Sequence, residues 1–248
     1  MPGRARVKVY GHRGAAGEAP ENTIAGCQHA IERGTRYLEL DLRLSADEQL
    51  VVIHDKKVNR TTYNQGVVNR FTARELATMD ARHSGPPWPR KKGAGIPTLD
   101  ALLRATPEIK GYHLEVKSDS AATMAHIARL LAEKFSSPDK SKGIVVTSAN
   151  HNFHHSLRTL APHIPLGLIP LRPTVPRQLE DFDFQQLVLP WGVCYPSTVR
   201  HAKRLGISVV AWTVNDPQTI KTLYNLQVDG VITDYPSMAL PLVASLMR

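Results

Sequence analysis

The chain has 248 residues, 42% apolar and 21% charged, a globular composition that excludes a disordered segment and a disulfide-stapled miniature. Its 31 Lys+Arg against 22 Asp+Glu leave a formal charge of +9, a field that favours anions such as phosphates, nucleic acids or acidic headgroups. Cys27 and Cys194 form neither a disulfide framework nor a metal motif, no run approaches the ~18 apolar residues of a membrane span, and Met1 to Tyr10 lacks the apolar stretch of a secretory signal, so a cytoplasmic location is expected.

Short β-branched or apolar segments alternate with amphipathic ones of helical length, the pattern of repeated βα units and a parallel sheet. Strands are expected to begin near Val7, Tyr37, Tyr112, Ile144, Leu166, Leu187, Val209 and Val231, with a further short strand at Leu50 to Ile53. Asn22, Thr98 and Asp216 stand where helix N-caps belong, and Pro217 follows in the favoured first turn. Met124, Ile127, Ala128, Leu131 and Phe135 build one helical stripe. Eight such units predict a single α/β domain over residues 1–248, a closed (β/α)8 TIM barrel. Regularity breaks at 56–97, after the second strand, where Gly- and Pro-rich chain from Gly66 through Trp88, Arg90, Lys91 and Lys92 predicts a small capping insertion at the active mouth. Within it Thr72 to Asp80 is expected as a short helix capped by Thr72, with Leu76 and Met79 facing inward.

In Tyr37-Leu38-Glu39-Leu40-Asp41-Leu42-Arg43-Leu44 the period of two puts leucines on one face, and Tyr37, Glu39, Asp41 and Arg43 on the face turned into the barrel. Tyr112 to Lys117 repeats the arrangement, with His113, Glu115 and Lys117 inward. Paired carboxylates in a barrel interior are costly unless neutralised. A hard divalent cation, Mg²⁺ or Ca²⁺, fits Glu39, Asp41 and Glu115 as oxygen ligands. A buried ion-pair network of the same three with Arg13, Arg43 and Lys117 is the alternative. His12 and His54 both end strands at the C-terminal rim, where two imidazoles facing one pocket can act as acid and base. His29, His83, His126, His151, His154, His155 and His163 read as surface or helix residues. Arg13 and Lys117 suit phosphate, the first as a planar fork and the second as a point charge.

These residues together resemble the glycerophosphodiester phosphodiesterase family, of the phosphatidylinositol-phospholipase-C-like barrel type. The matches are His12-Arg13-Gly14, Pro20-Glu21-Asn22-Thr23, Glu39-Leu40-Asp41, His54-Asp55, Arg60-Thr61-Thr62, Ile96-Pro97-Thr98-Leu99, Leu114-Glu115-Val116-Lys117, Ala211 to Asn215 and Asp229 to Pro236, in family order along nearly the whole chain. The resemblance implies metal-dependent hydrolysis of a small glycerophosphodiester to an alcohol and sn-glycerol 3-phosphate. It makes Glu39, Asp41 and Glu115 the ligands of one Mg²⁺ or Ca²⁺, His12 and His54 the acid/base pair, Arg13 and Lys117 phosphate contacts, and Trp212 the aromatic wall on the glycerol side. The chain departs from the family at Ala46-Asp47-Glu48-Gln49, in place of an acidic-glycine turn, and at Ala149, in place of an aromatic.

Two other functions compete. A lysophospholipase D or other phosphodiesterase would use the same site on a lipid-tailed ester. A nucleic-acid or polyanion binder would exploit the +9 charge, but the basic residues are scattered and aromatics make up only 6%, which disfavours a stacking platform and leaves nucleic acid unexpected as a partner.

Overall fold

The computed structural model describes residues 7–89, 93–117, 119–170, 179 and 182–248. Arg90, Lys91 and Lys92 of the expected insertion lie outside them. Strands β1 (Lys8–His12), β2 (Tyr37–Leu44), β4 (Gly111–Val116), β5 (Ile144–Ser148), β6 (Leu166–Leu168), β7 (Gln186–Pro190), β8 (Ser208–Trp212) and β9 (Gly230–Thr233) pair parallel in that order. The sheet closes because β1 bonds β2 on one side, with His12 opposite Glu39, and β9 on the other, with Gly11 opposite Thr233. This is the eight-stranded TIM barrel that the alternation predicts. Short β3 (Leu50–Val52) runs antiparallel to the end of β2, Leu42 opposite Val52, and extends the rim there.

The described helices are α1 (Ile24–Glu32), α2 (Ala73–Thr78), α3 (Leu99–Ala105), α4 (Ala121–Lys134), α5 (His151–Leu160), α6 (Pro196–Arg204), α7 (Pro217–Asn225) and α8 (Pro236–Leu246). Among the described residues, no helix is long and apolar enough to cross a membrane. Thr98 and Asp216 cap α3 and α7 as expected, their side chains accepting from the backbone N–H of Ala101 and Thr219. Asn22 does not cap α1. Its backbone turns to φ +55 and its side chain is committed to Asp41, so Thr23 takes over and accepts from the Gly26 N–H at 2.9 Å.

The outward faces of β2 and β4 form the main core: Leu38, Leu40, Leu42 and Leu114 are wholly buried against the helices. Burial contributes about 1.5–3 kcal/mol for each such side chain, which offsets the cost of seating carboxylates on the opposite face. Inside the barrel Tyr10, Ile169, Val188, Val210 and Ile232 form a smaller layer, with Ala149 and Trp212 above them. A third cluster joins Val51 and Ile53 to Val58, Val68, Leu76 and Met79 of the chain after β3. There α2 starts with a capping box, Thr72 accepting from the Glu75 N–H while the Glu75 carboxylate accepts from the Thr72 N–H. In the turn between β2 and β3, Glu48 occupies the left-handed region at φ +57, and Asp47 secures the turn by accepting from Ser45 Oγ at 2.6 Å and Ala73 N at 2.8 Å.

Candidate active site

At the C-terminal rim, β2 and β4 lie in a register that sets Asp41 beside Glu115. With Glu39 one pleat below, carboxylate oxygens of the three residues come within 4.8 Å of one another. Asp41 is the most strongly held: Asn22 Nδ2 donates to it at 2.8 Å, Arg13 Nε lies at 3.1 Å and Lys117 Nζ at 3.0 Å. Burial opposes its ionisation, but Lys117 and Arg13 outweigh it and hold the carboxyl down to about 2. Glu39 has less support. Its Oε2 accepts from the Arg13 N–H at 3.0 Å, while its buried Oε1 has no hydrogen-bond partner. Burial first, and then the neighbouring Asp41, push its pKa up to about 7. Glu115 pairs with Lys117 at 2.5 Å.

Both rim histidines are braced in the same way. His12 Nδ1 lies 2.5 Å from Asp234 Oδ1, and His54 Nδ1 lies 2.6 Å from Asp55 Oδ1. A carboxylate on Nδ1 keeps the proton there and leaves Nε2 as the nitrogen free to exchange one. His12 Nε2 sits 3.8 Å from Glu39 Oε2, so it faces the acidic trio. Burial favours the neutral His12 ring, but Asp234 and Glu39 overcome this and raise its pKa. Burial lowers that of His54, and the charges of Lys117 and Arg13 act in the same direction.

Arg13 is aimed by its backbone. It adopts φ +49 and is followed by Gly14 at φ +91, where a Cβ would come within 3.0 Å of the backbone of Gly26 and Cys27. This turn brings the Arg13 N–H to Glu39 and its side chain to Asp41 and Glu21. Trp212 ends β8 across the barrel. His12, Arg13, Glu39, His54, Glu115, Lys117 and Trp212 line one cavity of about 70 Å³, and Asp41 joins it through the trio. All eight residues singled out in the sequence therefore converge on one place.

Arg43, where β2 pairs with β3, donates from Nε to the His54 carbonyl at 2.8 Å and approaches Asp119 at 3.9 Å, and it forms no ion pair with the trio. His154 lies on α5 but is wholly buried, with its ring against Phe153, Phe182 and Phe184. Asp234, Asp55, Glu21 and Arg60 stand in the motifs, yet sequence reasoning gives them no role. Only the adjacency of His54 and Asp55 could have flagged one of them; Asp234 reaches His12 across 222 residues.

The model of the glycerophosphoryl diester phosphodiesterase family matches residues 12–238. The chain belongs to this family. Among its relatives, a glycerophosphodiester phosphodiesterase of Caldanaerobacter subterraneus is 30% identical, with 96% of this chain and 98% of that protein covered. A human lysophospholipase D is 26% identical over 93% of this chain and 84% of its own. A phosphodiesterase of Oleispira antarctica, solved in complex with the product sn-glycerol-3-phosphate, superposes with a TM-score of 0.85 at 27% identity, covering 96% of each chain.

Proposed function

We propose that this chain hydrolyses glycerophosphodiesters to sn-glycerol 3-phosphate and an alcohol in a divalent-cation-dependent reaction, with His12 and His54 exchanging protons as general acid and base. The observation that carries the reading is the convergence of three carboxylates and two Nδ1-braced histidines on one cavity. The donor set fits a hard cation: it is all oxygen, and Glu39 Oε1 is buried without a partner. Glu39, Asp41 and Glu115 would hold the ion, Mg²⁺ or Ca²⁺, which when bound neutralises charge on a phosphoryl oxygen.

The chain's own residues account for the rest. Arg13 and Lys117 add fixed positive charge where the phosphoryl group gains negative charge, and Trp212 walls the glycerol side. In the first step the glycerol 2-hydroxyl attacks phosphorus; one histidine takes its proton while the other protonates the leaving alcohol as the P–O bond breaks. In the second step water opens the cyclic phosphate, and the histidines exchange roles. Residues 1–248 act in this reading as one barrel domain whose 56–97 insertion rims the site, with a small molecule and not a nucleic acid as partner. The buried free thiols of Cys27 and Cys194 suit a reducing cytoplasm.

A coupled glycerol 3-phosphate assay over glycerophosphodiesters, with and without chelator, tests the proposal. Turnover that chelator abolishes, and that a 2-deoxy analogue lacks, is expected. Release that chelator leaves unchanged would refute the cation, and faster turnover of lysophosphatidylcholine would move the chain to the lysophospholipase D reading.

A further inference from the structure

The Arg60-Thr61-Thr62 motif has no part in the reaction as described, yet the chain is built to hold it. Thr61 and Thr62 are buried; Thr62 Oγ1 donates to the Val58 carbonyl at 2.9 Å, and the Thr61 carbonyl accepts from the His83 N–H at 3.1 Å. These bonds fix the first segment of the insertion and deliver the Arg60 guanidinium to two carboxylates from different parts of the barrel. Toward Asp55, Nε donates at 2.7 Å and Nη2 at 3.1 Å. Toward Glu21, Nη1 donates at 2.7 Å and Nη2 at 2.8 Å.

Each carboxylate has a second partner inside the site. Asp55 Oδ1 holds His54 Nδ1 at 2.6 Å, and Glu21 Oε1 accepts from Arg13 Nη1 at 3.0 Å. Charge therefore alternates without a break from Asp55 through Arg60, Glu21 and Arg13 to Asp41, with the His54 ring hydrogen-bonded at the Asp55 end. We propose that Arg60 is a positioning residue of the phosphodiesterase, clamping Asp55 and Glu21 so that His54 and Arg13 address the same phosphoryl group. The inference rests on the function proposed above. A guanidinium can serve both carboxylates because its planar fork presents donors along two edges; an ammonium is a single point charge and cannot. Without the clamp, two carboxylates are left facing each other, and each is free to draw its own partner away.

The test compares R60A, R60K, D55N, E21Q and H54A with the wild type on glycerophosphodiesters whose leaving alcohols span a range of pKa. Wild-type enzyme that releases no glycerol 3-phosphate would refute the phosphodiesterase function itself, a result separate from anything the variants show. With an active wild type, R60A should lose roughly 10–100-fold in kcat/KM, the usual effect of removing an outer partner of a functional group. Because Arg60 acts through two groups, its defect should divide: D55N reproduces the fall in kcat, E21Q the rise in KM. The R60A defect should vary with leaving group in the same sense as that of H54A, R60K should stay close to R60A, and guanidinium at tens of millimolar should restore R60A where equal NaCl does not. R60A within twofold of wild type overturns the proposal, as does a loss that R60K repairs or one indifferent to leaving group where H54A is not. If R60A melts early, the D55N and E21Q division decides: a uniform loss in both, with no kcat-against-KM split, also overturns it.

Discussion

Asp234→Asn would test whether the proton on His12 is placed by a neighbour's geometry. Asn215 Oδ1 accepts from the Asp234 backbone N–H at 2.9 Å, which fixes the Asn215 amide and turns its Nδ2 toward Asp234 Oδ2 at 2.6 Å. An asparagine at 234 must therefore give its oxygen to Asn215 and its NH₂ to His12. Nδ1 of His12 then has to accept, and the ring proton moves to Nε2, the nitrogen that faces Glu39 and the cavity. A histidine so protonated cannot act as base. General acid–base help is worth about 10²–10⁴ in rate, or about 3–5 kcal/mol of barrier, and kcat should fall by that amount. In the coupled glycerol 3-phosphate assay KM should hardly change, since neither side chain is assigned a substrate contact. Asn215→Ala on top of Asp234→Asn releases the amide to rotate, and part of the lost rate should return. Asp234→Asn within threefold of wild type would refute the reasoning; a double variant no faster than the single would refute the amide orientation.

The other predictions use different readouts. Glu115→Gln should weaken Mg²⁺ or Ca²⁺ binding by roughly 10–100-fold, read by titration calorimetry, and an unchanged affinity would remove Glu115 from the ligand set. Burial holds His154 down to about 4, so the unfolded chain takes its proton first. The resulting stability is complete above about pH 6.5 and is lost as pH falls toward 4, a difference of about 3 kcal/mol at the acid end. His154→Leu should remove most of that loss from the unfolding free energy read by urea titration between pH 7 and 4.5, and an equal acid loss in both proteins would contradict it. Thr72→Ala removes the α2 cap and should cost about 1 kcal/mol, a melting shift of about 2–4 °C by calorimetry; no shift would mean the short helix does not depend on its capping box.

The barrel was legible because its signal is local. Alternation along Tyr37–Leu44 assigns leucines to the helices and carboxylates to the interior with no knowledge of topology, and the same holds for Leu114 and Val116 around Glu115. Relations that depend on closure were illegible. Asp234 meets His12 only because β9 returns beside β1, and Arg60 meets Glu21 only because the insertion folds back over the first loop. Asn22 shows one residue type with two uses: its sequence position suits a cap, but the carboxylate and the backbone N–H of Asp41 compete for the same amide and win. The burial of His154 on its helix was illegible for a related reason, since the faces of α5 do not reveal that Phe182 and Phe184 will cover one of them.

The ion-pair network and the metal site, alternatives in the sequence, occupy different members of the trio. Arg13 and Lys117 both lie on Asp41, and Lys117 also on Glu115, so the permanent cations concentrate at one end. Glu39 is left with a backbone N–H and a histidine 3.8 Å away. Around the cavity Glu21, Asp55 and Asp234 add three more carboxylates, and Arg60 is the further cation set against two of them. The immediate site thus carries more negative than positive charge although the whole chain is +9. A phosphodiester anion would be repelled by such a surface unless positive charge entered at Glu39, the corner where burial raises the carboxyl to about 7. A divalent ion bound there would offset most of that excess, so in this proposal the cation serves substrate binding as well as chemistry.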